Sequence, residues 1–194
     1  MNWETLLCIG DSITYGARSY AGYPEYAGAK LEDVLSKHWN VINLAVSRLK
    51  TIEISRLVSD NFTNLKNQSP SIITIMAGTN DIRDGISTSD YVLALTQLAI
   101  KAQIICNNVV LLKIPYFTKG VMYPYDFKMN DQVKFFNDQI EIVAHKLGIR
   151  YYEFVYNPDC FFDGVHLNDV GSQSFGIQLA KFILKDKGVE LHEE

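Results

Sequence analysis

Short β-branched apolar runs alternate along the chain with longer stretches whose apolar residues recur every three or four positions. The runs predict five strands, over residues 5–9, 41–45, 71–76, 109–114 and 150–154. Each reads as a continuous apolar run, the pattern of a strand covered by helices on both faces. Between them, Ala27, Leu31, Val34 and Leu35 fall at helical spacing, as do Leu95, Leu98, Ala99, Ala102 and Ile105. Val133, Phe136, Ile140, Val143, Ala144 and Leu147 form a further stripe. Five helix-like segments alternating with five strands predict an α/β fold around a parallel sheet. Ser89-Asp90 is a candidate N-cap for the third of these helices and Asn168-Asp169 for the last. Gly148 stands where a helix stop is expected, before the fifth strand. No repeat or linker-like shift interrupts residues 1–194, so one domain is expected, with a frayed tail from about Asp186.

Composition narrows the function. The chain has 194 residues, 47% of them hydrophobic, with 18 Lys and Arg against 22 Asp and Glu. A net charge of −4 without a basic block gives no footprint for nucleic acid or an anionic membrane. The longest apolar runs fall far short of the roughly 20 residues needed to cross a bilayer. The N-terminus lacks a positively charged leader, and Cys8, Cys106 and Cys160 are odd in number without a CxxC pair. Reduced thiols and a cytoplasmic location are the expectation.

Three strand tips carry chemistry. The first strand runs into Gly10-Asp11-Ser12, which places a hydroxyl and its own N–H where open α/β sheets bind ligands. A serine needs a base to become a nucleophile. His38, near the end of the first helix, His145, on the fourth, and His192, in the tail, read as structural or solvated. His166 instead lies in the loop after the fifth strand, at the same end of the sheet as Ser12. Asp163, three residues earlier across a glycine, can accept the imidazole N–H. After the third strand, Gly78-Thr79-Asn80-Asp81 presents the amide of Asn80, an uncharged donor suited to an oxyanion. Residues 115–130, after the fourth strand, bring Tyr116, Phe117, Tyr123, Tyr125 and Phe127 to that end, a candidate wall for a substrate pocket.

These residues resemble the SGNH or GDSL hydrolases. Gly10-Asp11-Ser12, Gly78-Thr79-Asn80-Asp81 and Asp163-Gly164-Val165-His166 match three of that family's four blocks in order, across nearly the whole chain. The resemblance implies a three-layer α/β/α sandwich of flavodoxin-like type with a five-stranded parallel sheet. It implies a serine esterase with Ser12 as nucleophile, His166 as base and then acid, and Asp163 as its orienting partner. Asn80 and the Ser12 N–H would hold the oxyanion, and no cofactor or metal is required. The second block departs from the pattern. Where the family usually has Ser-Gly, this chain has Ser47-Arg48. Arg48 still offers a backbone N–H to the oxyanion hole, and its guanidinium either faces solvent or helps bind an anionic part of the substrate; the third outcome is an impaired hole. Asp11, Tyr116, Tyr123 and Tyr125 are the expected substrate contacts.

The reading that follows is hydrolysis of a small-molecule or glycan ester, of short-chain or O-acetylated carbohydrate type, through an acyl-enzyme. An acyl thioesterase or lysophospholipase of the same family stands beside it. So does a catalytically impaired module that keeps the fold and grips a glycan or lipid. A metal-dependent hydrolase using Asp11, Asp81, Asp163 and His166 is a third class, though no HxH or HExxH spacing occurs. Nucleotide binding lacks both GxxxxGK[ST] and GxGxxG.

Overall fold

The computed structural model describes residues 3–189. Five strands, β1 (Glu4–Gly10), β2 (Trp39–Ala45), β3 (Ile72–Met76), β4 (Val109–Leu112) and β5 (Arg150–Tyr152), form one sheet in the order β2-β1-β3-β4-β5. All neighbouring pairs are parallel. Among the described residues there are eight helices: α1 (Ser12–Tyr15), α2 (Tyr23–Leu35), α3 (Thr51–Asp60), α4 (Phe62–Asn67), α5 (Thr79–Arg83), α6 (Thr88–Ile105), α7 (Asn130–Leu147) and α8 (Asp169–Asp186).

Strand parity sorts the core into two layers. Leu7, Ile9, Ile73, Ile75, Val109 and Leu111 point to one face, under α3, α6 and α7. Leu6, Cys8, Ile72, Met76, Val110 and Leu112 point to the other, under α2 and α8. The central strands β1, β3 and β4 are buried on both faces, which is why they read as unbroken apolar runs. The edge strands β2 and β5 are half-buried along most of their length. β4 and β5 are shorter than their apolar runs, because pairing stops at Leu112 and Tyr152 and the chain turns off the sheet.

Three helices escaped the periodicity: α1, α4 and α5, each of six residues or fewer. One turn is too short for a repeat of 3.6 to register. The N-cap of α6 is Ser87 rather than Ser89, its hydroxyl accepting from the Asp90 N–H at 3.1 Å. Asn168 does cap α8, accepting from Gly171, and Gly148 closes α7 in the left-handed conformation. The end of α8 is Asp186; residues 190–194, and His192 with them, lie outside the described residues. The three cysteines are free thiols. No helix among the described residues is long and apolar enough to cross a membrane.

The strand order reverses direction at β1 and β3, the position where open sheets of this order open a crevice at their C-terminal edge. Ser12 follows β1 and Asn80 follows β3, so the topology sets both at that crevice.

Candidate active site

Ser12 is the first residue of α1, immediately after the tip of β1. Asp11 caps that helix, its Oδ1 accepting from the Ile13 N–H at 3.1 Å. Asn43 on β2 steadies the same turn by donating to the Thr14 carbonyl at 3.1 Å. The Ser12 hydroxyl is thereby fixed on a rigid strand end.

His166 reaches it from the loop between β5 and α8. Its Nε2 lies 2.9 Å from Ser12 Oγ, and its Nδ1 lies 2.8 Å from Asp163 Oδ2. The second oxygen of Asp163 accepts from the N–H groups of Val165 and His166, at 3.1 and 2.8 Å. This tight fold-back depends on Gly164, whose φ of +82° is left-handed and whose missing Cβ would sit 2.5 Å from Val121 Cα. Burial pushes the Asp163 carboxyl up, but the His166 ring, the two backbone donors and the imidazole charge outweigh it and hold the group at about 2. Asp163 therefore stays charged wherever the protein is folded near neutral pH.

Asn80 sits in the first turn of α5 behind Gly78, whose φ is +129°. Its Nδ2 donates to the Leu49 carbonyl at 3.0 Å, while its Oδ1 accepts from Arg83 at 3.0 Å and from the Tyr125 hydroxyl at 3.3 Å. One amide hydrogen is left without a partner among the described residues. Next to it, Asp81 is spent elsewhere: its Oδ2 accepts from the N–H and hydroxyl of Thr51, at 2.8 and 3.0 Å.

Arg48 adopts a φ of +72°. It lies at the third position of a turn closed by the Leu49 N–H on the Val46 carbonyl at 3.5 Å, where glycine is normally required. The main chain thus keeps a glycine-like conformation with an arginine in it. Among the described residues, neither the Ser12 nor the Arg48 N–H donates a hydrogen bond.

These groups border an open cleft of about 1130 Å³. Ser12, His166, Asp163, Asn80 and Arg48 all line it, as do Tyr123 and Tyr125 of the aromatic loop. Two expected contacts do not. Asp11 is wholly buried, turned inward to cap α1. Tyr116 stays out of the cleft, because its N–H is bound by the Tyr156 hydroxyl at 2.6 Å. The loop is held by α7: Asn137 brackets Ile114 at 2.8 and 2.9 Å, and Asn130 brackets Phe117 at 2.7 and 2.8 Å. Met122 and Pro124 then complete the wall.

The sequence reading missed Arg18 and Arg83, both in the cleft wall. Arg83 was within reach, since it is one helical turn beyond Asn80. Arg18, in the loop after α1, carries no spacing signal. Of the four groups of the metal-dependent alternative, Asp163 and His166 engage each other, Asp11 caps α1 and Asp81 holds Thr51, and no cluster of three potential metal ligands occurs among the described residues. His38 pairs with Glu32 at 3.1 Å, and His145 is exposed against Tyr151, so neither is near Ser12.

Comparison with known proteins identifies the family. The profile of the GDSL-like lipase/acylhydrolase family matches residues 8–173. No curated relative matches the sequence. Among solved structures, Axe2, an acetylxylan esterase from Geobacillus stearothermophilus, is similar with a TM-score of 0.71 at 20% identity, covering 96% of this chain and 95% of that one. Its W215I variant gives 0.72 at 20%, covering 98% and 97%. LAE5, an alpha/beta hydrolase enzyme from the metagenome of Lake Arreo in Spain, gives 0.71 at 21%, covering 95% of each chain.

Proposed function

The chain belongs to the GDSL-like lipase/acylhydrolase family and is a carboxylic-ester hydrolase, and from that premise we propose that it works through an acyl-enzyme on Ser12. The observation that carries the proposal is the unbroken relay from Ser12 Oγ to His166 Nε2 at 2.9 Å and from His166 Nδ1 to Asp163 at 2.8 Å.

His166 takes the Ser12 proton as Oγ attacks the ester carbonyl, and the charged Asp163 stabilises the imidazolium that forms. The carbonyl oxygen becomes an oxyanion, held by the free hydrogen of the Asn80 amide and by the N–H groups of Ser12 and Arg48. Collapse expels the alcohol, which leaves with the proton from His166. Water, deprotonated by the same imidazole, then attacks the acyl carbonyl, releasing the acid and restoring the Ser12 hydroxyl. Every step uses side chains and backbone already in place.

The substrate class we favour is a short-chain acyl ester or an O-acetylated carbohydrate. The cleft is open and walled by Tyr123, Pro124 and Tyr125, a surface that suits a sugar face or short acyl group better than a long chain. The structurally similar Axe2 is named for acetylated xylan, which supports the same lean.

Labelling with a fluorophosphonate, followed by peptide mass spectrometry, tests the nucleophile. An adduct on Ser12 that disappears in Ser12→Ala is expected; folded wild-type protein that stays unlabelled would overturn the assignment. A series of 4-nitrophenyl esters of rising chain length, beside acetylated xylo-oligosaccharides, tests the substrate class.

A further inference from the structure

Resting on the ester-hydrolase reading, we propose that the cleft selects esters bearing a second, anionic group, a carboxylate held by the guanidinium groups of Arg48 and Arg18. Three guanidinium groups line the cleft, those of Arg18, Arg48 and Arg83, against two carboxylates, Asp84 and Asp163. The rest of the molecule has the opposite bias, since the whole chain carries −4.

Pairing within the cleft shows which cations are free. Asp84 is doubly engaged by Arg83, at 2.7 and 3.1 Å, and also faces Lys50 at 3.7 Å. Arg83 is further fixed on Asn80. Asp163 is occupied by His166 and two backbone donors, and Arg18 approaches it only at 3.9 Å. Arg18 otherwise lies over the Phe162 ring at 5.7 Å. The Arg48 side chain makes no ion pair or hydrogen bond among the described residues. Arg48 is thus an exposed guanidinium without an ion pair or hydrogen bond among the described residues, and Arg18 an exposed one held only by a long pairing with Asp163; both line the cleft that contains Ser12.

Backbone strain singles out Arg48. Left-handed φ strains an L-residue, and glycine would supply the same N–H to the oxyanion without that strain. Among the described residues the fold gains no ion pair or hydrogen bond from the side chain that stands in place of glycine. Its remaining use is a ligand, and a planar guanidinium suits a carboxylate, with that of Arg18 lining the same cleft. Placement agrees for Arg48, which follows β2 on one side of β1 and Ser12, whereas the aromatic wall follows β4 on the other side; Arg18, after α1, reaches the cleft beside Asp163 and Phe162. An acidic sugar ester, stacked on Tyr123 and Tyr125 with its carboxylate toward Arg48, meets both walls.

The test compares matched esters that differ in one charge. One pair is 4-acetoxybenzoate and its methyl ester, with the anion on the alcohol; the other is mono(4-nitrophenyl) succinate and its methyl ester, with the anion on the acyl group. The readout is the ratio of kcat/KM for the anionic to the neutral member, which cancels losses common to both. In Arg18→Gln/Arg48→Gly we expect the ratio to fall about tenfold for at least one pair, with Arg48→Lys retaining part of it. The wild-type ratio should also shrink as salt rises from about 0.05 to about 0.5 M. A ratio equal in wild type and the double variant for both pairs overturns the proposal. Should that variant fail to fold, a wild-type ratio insensitive to salt overturns it alone. Absence of any turnover of the neutral members by wild type would instead remove the ester-hydrolase reading, so the two failures are distinguishable.

Discussion

The side-chain amide of Asn80 donates to the main-chain carbonyl of Leu49 at 3.0 Å, which ties the tip of β3 to the turn that follows β2. The neighbouring bonds from Thr51 to Asp81 repeat the connection. The Asn80 amide and the turn that carries the Arg48 N–H, the two donors proposed for the oxyanion, are thereby held in one rigid unit. Arg83 and Tyr125 fix the direction of the amide, because rotating it by half a turn would set its N–H₂ against the guanidinium and its oxygen against the Leu49 carbonyl.

Removing the amide should cost catalysis rather than binding. In Asn80→Ala we expect kcat on 4-nitrophenyl acetate to fall roughly 10²- to 10³-fold with KM little changed, because the bond is made to charge that exists only in the transition state. Tyr125→Phe deletes one of two contacts to Asn80 Oδ1 and should cost less than about tenfold. Steady-state kinetics on both variants check this; an Asn80→Ala enzyme with wild-type kcat would remove Asn80 from the oxyanion hole.

Asp163 sets the form of the acid limb. Burial alone would raise its carboxyl, yet the His166 ring and two backbone N–H groups hold it at about 2, so above that pH it does not titrate. Activity should fall with decreasing pH with a limiting slope of about one in log kcat/KM, because Asp163 adds no second proton. The depressed carboxyl also stabilises the fold above its ordinary value of 3.8, a contribution lost as pH drops from there toward about 2. Asp163→Asn should lower kcat by roughly 10⁴-fold, the scale of loss when a triad aspartate is made neutral. A two-proton acid limb in the wild type would contradict the assignment.

Strand tips were legible in the sequence because each ends in a residue type with few structural uses at that spot: Ser12, Asn80, and the pair Asp163 and His166. The continuous apolar runs of β1, β3 and β4 were equally plain, since burial on both faces leaves no polar alternation. What failed was the direction of individual side chains. Asp11 stands beside Ser12 in sequence, yet the N-terminal turn of α1 needs a capping acceptor and takes it inward. Tyr116 shares a loop with Tyr123 and Tyr125, but Asn130 and Asn137, on α7, and Tyr156 decide where that loop is pinned. Such long-range ties leave no mark in local spacing. The αL turn at Arg48 was hidden for the opposite reason, because arginine is not the residue that announces it.

Asp11 should make the protein less stable as pH rises from 3.8 to about 6. Burial pushes its carboxyl up from 3.8 to about 6, only partly countered by the Ile13 N–H and by His166, and among the described residues its Oδ2 has no hydrogen-bond partner. The folded state therefore holds this proton more tightly than the unfolded state. Stability from this group is full below 3.8 and is lost as pH rises to about 6, by on the order of 3 kcal/mol. Asp11→Asn keeps the acceptor for Ile13 and cannot ionise, so the gap in urea-unfolding free energy between about pH 5 and about pH 8 should narrow. An unchanged gap would show that Asp11 is not the group responsible.

Arg48→Gly should stabilise the fold while changing what the cleft accepts. The turn at Val46–Leu49 holds residue 48 at φ +72°, a conformation costing an arginine about 1–2 kcal/mol and glycine almost nothing. Against that gain stands the greater backbone freedom of glycine in the unfolded chain, roughly 0.5–1 kcal/mol. No ion pair or hydrogen bond of the guanidinium among the described residues is lost to offset the relief. The net gain should be about 0.5–1 kcal/mol, which for a chain of this length raises Tm by roughly 1–4 °C. Calorimetry of the two proteins at equal pH and salt measures it. A lowered Tm would mean that the side chain stabilises the fold after all, and the strain at this turn would then need no ligand to explain it.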